Sequence, residues 1–336
     1  MERISMKKYF FPLLAVLFLA CNGPEQEPIT LIFDTDMGND IDDAIALAIM
    51  NNYIDGGKTR VIGIGLSKEG SAPAAYVDIV QTWYGHAGIP IGVVRNSVGP
   101  VKDCYAENVW CQKDKEGNPL FSHSLSDDDY SKLPDAHILY RKLLADEPDN
   151  SVTFVMVGFS TNLARLLETG PDEYSSLEGQ KLVAQKVKRL VCMAGNFRKE
   201  TSEYNVHCDI PAARKVLEEW PTEIVVSPYE VGSATPFPAQ NVVRFGGGKP
   251  NPVAEGYKAY RKMPYDRSGW DPSAMICGVE GNKFFTLSPP GHICVDSVGV
   301  TIFTPDPDNG KAYYLIVNNA QATALSDHMV ELATYK

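Results

Sequence analysis

Five aspartates crowded into ten residues, Asp34, Asp36, Asp40, Asp42 and Asp43, constrain this chain more than any other feature. They lie in the stretch LIFDTDMGNDIDDAIALAIM at 31–50, between two apolar patterns of different period. Ile29, Leu31, Ile32 and Phe33 make a short apolar run suited to a buried strand, whereas Ile41, Ala44, Ile45, Leu47, Ala48 and Ile49 recur at helical spacing. Gly38 lets the chain turn tightly between the two. Like charges this close repel, so a loop of this kind at the carboxyl end of a buried strand needs something positive to hold it together. A hard divalent cation is the simplest answer, because oxygen-rich sites suit calcium or magnesium. Asp42 or Asp43 alone could be read as first-turn acids complementing a helix dipole. Asp34 and Asp36, on the strand side of the turn, have no such account.

The remaining composition narrows the class. With 336 residues, 44% of them hydrophobic and 22% charged, the chain is large enough for one α/β domain. A formal net charge of −11 with no clustered Lys and Arg argues against a nucleic-acid partner and for a small ligand. Residues 1–20 read as a signal peptide, since Lys7 and Lys8 precede an apolar run, Tyr9 to Ala20, too short to span a bilayer comfortably. Leu17-Phe18-Leu19-Ala20-Cys21 has the order of a bacterial lipobox, with Cys21 as the lipidated residue and 21–28 as a tether. The expectation is an exported protein, lipid-anchored to the cell envelope (periplasm or outer membrane), that meets the membrane through its lipid only and folds as a single domain over 29–336. Export permits disulfides. Cys104 and Cys111 are close enough in sequence for a local staple, Cys192, Cys277 and Cys294 lie in apolar runs that suit small core residues, and no CxxC pair marks a zinc or redox site.

Along the chain, apolar strand patterns at 60–66, 91–94, 151–157, 187–193 and 223–227 alternate with helical patterns at 74–84, 136–145 and 211–220. This alternation predicts an α/β fold with a mostly parallel central sheet and helices on both faces, open and Rossmann-like. Small antiparallel elements are expected near the C-terminus at 293–295, 300–303 and 313–317, with a closing helix near 322–332. Residues 96–134 read as an insertion or lid with a solvated acidic turn at Asp127 to Asp129, and the Pro/Gly-rich 235–252 as a long loop. Ligands of such sheets gather at the carboxyl ends of the strands, the end that carries the aspartates.

Four stretches, in order, resemble the calcium-dependent nucleoside hydrolase family: DTDMGNDIDDAIAL at 34–47, VGFSTNLARL at 157–166, MAGNF with EYNVHCDIPAA between 193 and 213, and GWDPSAM at 269–275. The similarity runs from about residue 29 onward, and the first motif is the specific one. The resemblance implies a nucleoside hydrolase-like fold in which Ca2+ is held by Asp36, Asp43, the carbonyl of Thr161 and Asp271. It further implies that Asp42 holds the ribose hydroxyls, that Glu203, Asn205 and Asn196 grip the sugar, and that Asp34 is a buried supporting carboxylate. The implied reaction is hydrolysis of ribonucleosides to ribose and free base, in purine or pyrimidine salvage, by an enzyme that can be a homo-oligomer. A ring of carboxylates suits the oxocarbenium-like charge that develops on the sugar. Asp36 would be the general base toward a water activated by the metal.

Two departures from the family pattern stand out. Asn39-Asp40-Ile41 separates Gly38 from Asp42, an expansion of two residues that makes Asp40 an additional ligand candidate. Trp270 stands where many members carry a histidine that acts as acid for the leaving base. His207 and His292 are candidate substitutes, and Trp270 itself would either stack on a nucleobase or pack under its helix start. Leu66-Ser67-Lys68 also replaces a segment in which many relatives have an asparagine. Two other classes remain open: an aspartyl-phosphate phosphatase on Asp34-Thr35-Asp36, and a calcium-dependent ribosyl- or glycoside-binding lipoprotein that has lost turnover.

Overall fold

The computed structural model describes residues 27–97 and 105–335. Lipidation at Cys21, most of the tether and the Cys104–Cys111 staple fall outside the described residues. The first part of the fold alternates β1 (Ile29–Thr35), α1 (Asp42–Asp55), β2 (Thr59–Leu66), α2 (Ser71–Tyr84) and β3 (Ile91–Val93). It continues through α3 (Tyr105–Trp110), α4 (Ala136–Asp146), β4 (Val152–Met156), α5 (Thr161–Glu168), α6 (Gly179–Lys186) and β5 (Val187–Met193). Next come α7 (Tyr204–Cys208), α8 (Ile210–Glu219), β6 (Glu223–Ser227), α9 (Tyr229–Ala234), β7 (Pro236–Phe237), α10 (Pro252–Tyr260), β8 (Arg267–Ser268) and α11 (Trp270–Glu280). The chain closes with β9 (Thr286–Leu287), β10 (Gly291–Val295), β11 (Thr301–Pro305), β12 (Ala312–Ile316) and α12 (Asn319–Ala333).

Six parallel strands lie side by side as β3-β2-β1-β4-β5-β6, so the winding reverses between β1 and β4. Such a reversal opens a crevice beyond the carboxyl ends of the two strands. β1 ends there in Asp34 and Thr35, and β4 leads there into Val157 and Gly158. Side chains alternate across the sheet: Leu31 and Phe33 join the apolar layer built on α1, α2, α11 and α12, while Ile32 joins the opposite layer with α4, α5 and α8. α1 is buried almost all round, from Asp42 through Tyr53, because α11, α12 and α10 cover the side that the sheet does not. The two acids of its first turn are therefore carried out of water by the apolar residues that follow them.

Several expectations change. β12 is not an antiparallel terminal strand on its main pairing: it runs parallel to β6, with β10 and β9 antiparallel to it, since β10 and β11 form a hairpin and the chain returns to slot between β10 and β6. Residues 235–252 are not a plain loop but contain β7, paired with β8, and a 3-10 segment at Ala239–Gly248. The described part of 96–134 is no lid. Asp78 on α2 accepts from the Ser124 and Leu125 amides and the Tyr130 hydroxyl, which fastens the segment to the flank of the sheet. Cys192 and Cys277 are core residues, but Cys294 is exposed because β10 alternates buried and exposed positions.

One close backbone approach lies at the crevice itself. A Cβ on Gly158 would come within 2.4 Å of the Asp36 amide nitrogen, 2.7 Å of the Thr35 carbonyl carbon and 2.2 Å of Ser67 Oγ. Three strand ends converge on a position with no room for a methyl group. Gly158→Ala should therefore destabilise the fold by about 2 kcal/mol or more, the usual scale of overpacking against unyielding neighbours, as a lower urea midpoint would show.

Candidate active site

A cavity of about 380 Å³ lies over the carboxyl ends of β1, β4 and β5. Its floor is acidic. Asp42, Asp43 and Asp271 are all buried, and each offers an oxygen within 4.8 Å of the others, so the three could hold a metal ion. Asp42 and Asp43 come from the first turn of α1 and Asp271 from the first turn of α11, so two helix N-termini point at the cluster. The Asp271 amide donates to Asp42 Oδ2 at 3.2 Å, and the Thr35 hydroxyl donates to Asp43 Oδ1. Burial, with mutual repulsion second, raises all three carboxyls well above the ordinary range. A hard cation fits this donor set, which is all oxygen, anionic and otherwise undercompensated.

Asp36 lines the same cavity beside the triad. Its Oδ2 accepts from Asn39 Nδ2 at 2.6 Å, and Asn39 Oδ1 in turn accepts from Lys68 Nζ at 2.7 Å. Burial pushes the Asp36 carboxyl up to about 6 even though the Asn39 bond and the Lys68 charge pull it down. Lys68 is only 3% exposed and its charge also favours the ionised form of Asp43, which makes it the cluster's internal counter-ion. Asp34 lies beneath, fully buried, with Oδ2 accepting from the Tyr140 hydroxyl at 2.5 Å and Asn162 Nδ2 at 2.9 Å; desolvation pushes it up to about 7.

Glu203 and Asn205 form the facing wall. Glu203 caps α7, accepting from the amides of Asn205, Val206 and Gly195, yet burial pushes its carboxyl up to about 7. Asn205 Nδ2 donates to the Val157 carbonyl at 2.7 Å. Val157 lines the cavity; Thr161, in the first turn of α5, is not among the lining residues, and its hydroxyl donates to Asp209 at 2.5 Å. Asn196 is also outside the cavity, because its Oδ1 accepts from the Arg198 and Lys199 amides of its own loop. It borders a neighbouring cleft with His207, while His292, on β10, pairs with Asp306 just past β11, so neither candidate histidine lines the cavity.

Trp270 lines the rim, half-buried, inside the first turn of α11. Its Nε1 donates to the Tyr229 carbonyl at 2.9 Å, its ring stacks on Tyr229 at 5.5 Å, and the Arg267 guanidinium lies 4.9 Å from its centroid. Asp40 joins no ligand cluster: Arg267 Nε donates to its Oδ1 at 2.7 Å and Arg267 Nη2 to its Oδ2. Lys68, Arg267 and the lining tyrosines Tyr204, Tyr229 and Tyr260 were not singled out from sequence as site residues. Only the Ser67-Lys68 pair, a departure from the family pattern, carried any signal.

Two predictions follow from these carboxyls. Asp34, Asp36 and Glu203 bind protons more tightly folded than unfolded, so the stability they contribute is complete below about pH 4 and is lost as the pH rises through 6 to 7. In chelator, the urea midpoint should be higher at pH 5 than at pH 8, and a divalent cation should raise it more at pH 8. Lys68→Met, which strands buried carboxylates, should cost the metal-free protein about 3 kcal/mol at pH 8 while tightening divalent-cation binding in calorimetry.

Comparison with known proteins gives this arrangement a family. The model for "Inosine-uridine preferring nucleoside hydrolase" matches residues 31–314. No curated protein sequence matches the chain. Among solved structures, a plant nucleoside hydrolase, PpNRh1, superposes with a TM-score of 0.66 at 20% identity, covering 92% of this chain and all of that one. The inosine-uridine preferring nucleoside hydrolase from Bacillus anthracis gives 0.66 at 18% identity with the same coverage. The type III effector protein XopQ, solved with adenosine diphosphate ribose, gives 0.62 at 16% identity, covering 92% of each chain. At these identities the structural likeness speaks to the fold, and the family match over most of the chain speaks to descent: the chain belongs to the inosine-uridine preferring nucleoside hydrolase family.

Proposed function

We propose that the protein is a calcium-dependent hydrolase of the N-glycosidic bond of ribonucleosides, acting in nucleoside salvage from a lipid-anchored position outside the cytoplasm. The observation that carries this reading is the set of four buried carboxylates, Asp36, Asp42, Asp43 and Asp271, facing Glu203 and Asn205 across one small cavity. Asp43 and Asp271, with Asp36 and Asp42 beside them, would hold the ion, joined by the Thr161 carbonyl that the family resemblance implies. Bound calcium supplies Lewis-acid polarisation of the ribose hydroxyls and of the attacking water.

The chain's own residues do the rest. Asp36, fixed by Asn39, takes the proton as water attacks the anomeric carbon. Glu203 is held by three backbone amides, so it faces the sugar in one orientation, and Asn205 is oriented by its bond to Val157. The carboxylate ring stabilises positive charge on the sugar as it develops, which favours the transition state over the bound substrate.

The test is ribose release from inosine, uridine and adenosine by protein starting at residue 22, with and without chelator, beside Asp36→Ala. Turnover should vanish in chelator, return with calcium, and fall at least about 100-fold in Asp36→Ala, the scale of a lost general base. Calcium-dependent ribose binding with no release from any nucleoside would instead identify a binding protein and overturn the hydrolase reading.

A further inference from the structure

The two-residue expansion after Gly38 and the tryptophan before Asp271 meet at one side chain, Arg267. Its Nε and Nη2 are both spent on the Asp40 carboxylate, which the expansion places at the rim. Its guanidinium lies 4.9 Å from the Trp270 ring centroid and 5.4 Å from that of Tyr260. The third nitrogen, Nη1, has no protein partner among the described residues, and Arg267 lines the cavity with its side chain 15% exposed. A cation gripped along one edge and packed against rings is preorganised, and the edge left over is a donor that needs no rearrangement to act.

The cavity has a matching need. No histidine lines it among the described residues, and the Tyr204 and Tyr260 hydroxyls are made poorer acids by desolvation. A base that leaves without taking a proton leaves with the electron pair of the broken bond.

We propose that Arg267, braced by Asp40, Trp270 and Tyr260, is a catalytic residue that stabilises the negative charge on the departing nucleobase, in place of an acid. This deepens the hydrolase reading and rests on it. Water oxygen bonds to the anomeric carbon and gives its proton to Asp36. The carbon–nitrogen bond breaks, its electron pair stays on the base nitrogen, and the base departs as an anion against Nη1. The anion takes a proton from solvent on release and Asp36 returns its proton, so the products are ribose and neutral base. The substrate class is then a neutral nucleoside whose base leaves as a resonance-stabilised anion.

The experiment compares two leaving groups in the full protein with calcium: uridine, whose base departs as an anion, and nicotinamide riboside, an N-ribosylpyridinium whose base departs neutral. Arg267→Met should lower kcat on uridine at least about 100-fold, the scale of a lost transition-state donor, and change nicotinamide riboside less than about threefold. Arg267→Lys keeps a cation beside Asp40 but lacks the planar free edge, and should lose an intermediate amount on uridine alone. Retained nicotinamide riboside turnover shows that each variant is folded. Equal losses on both substrates, in either variant, would assign Arg267 a structural role and overturn the proposal, as would an undiminished uridine rate. Wild-type protein that splits nicotinamide riboside but not uridine also overturns it. Wild-type protein that releases ribose from neither overturns the hydrolase reading itself.

Discussion

Repulsion among buried carboxylates is the constraint around which this molecule is arranged. Asp36, Asp42, Asp43 and Asp271 converge where the winding of the sheet reverses, and the apolar body of α1 removes two of them from water. Each nearby device reduces the cost of that convergence. Two helix N-termini face it, Thr35 and the Asp271 amide donate into it, and Lys68 supplies a buried positive charge through Asn39. None of these cancels four acids, which is why the arrangement makes physical sense as a cation site and little sense as a mere packing motif.

How much of this could be read from sequence depended on distance along the chain. The switch from a short continuous apolar run to a helical period around Gly38 located β1, α1 and the aspartates between them, because strand, turn and helix are neighbours in sequence. Asp271, Glu203 and Asn205 were legible only through motif resemblance, since nothing local marks one acid in a helix turn as part of a remote cluster. Thr161 and Asn196 are not among the residues that line the cavity: the Thr161 hydroxyl donates to Asp209, and the Asn196 carboxamide oxygen accepts from its own loop. The pairing of β12 with β6 was hidden for a similar reason, since an apolar pattern reports burial and not which neighbour provides it.

The departures from the family pattern are coupled in space. Asp40 and Arg267 stand 227 residues apart and still form one ion pair, with the ring of Trp270 beside the guanidinium. An inserted acid alone would add repulsion to a site that already has too much of it, and an arginine alone would compete with a cation for the carboxylates. Together they leave the net charge of the rim unchanged.

The amide of Asp271 reaches Asp42 across 229 residues. A chain emerging from its N-terminus builds α1 long before the helix that completes the cluster exists, and domains tend to assemble in that order as they are made. Until α11 docks, the first-turn acids of α1 lack the Asp271 amide and the helix that contributes most to their cover. A product truncated or cut ahead of α11 would thus keep most of the sheet but carry a wet, open acid pair in place of a sealed cluster. The acid cluster is thus a late-formed feature, complete only once the chain has been made through α11.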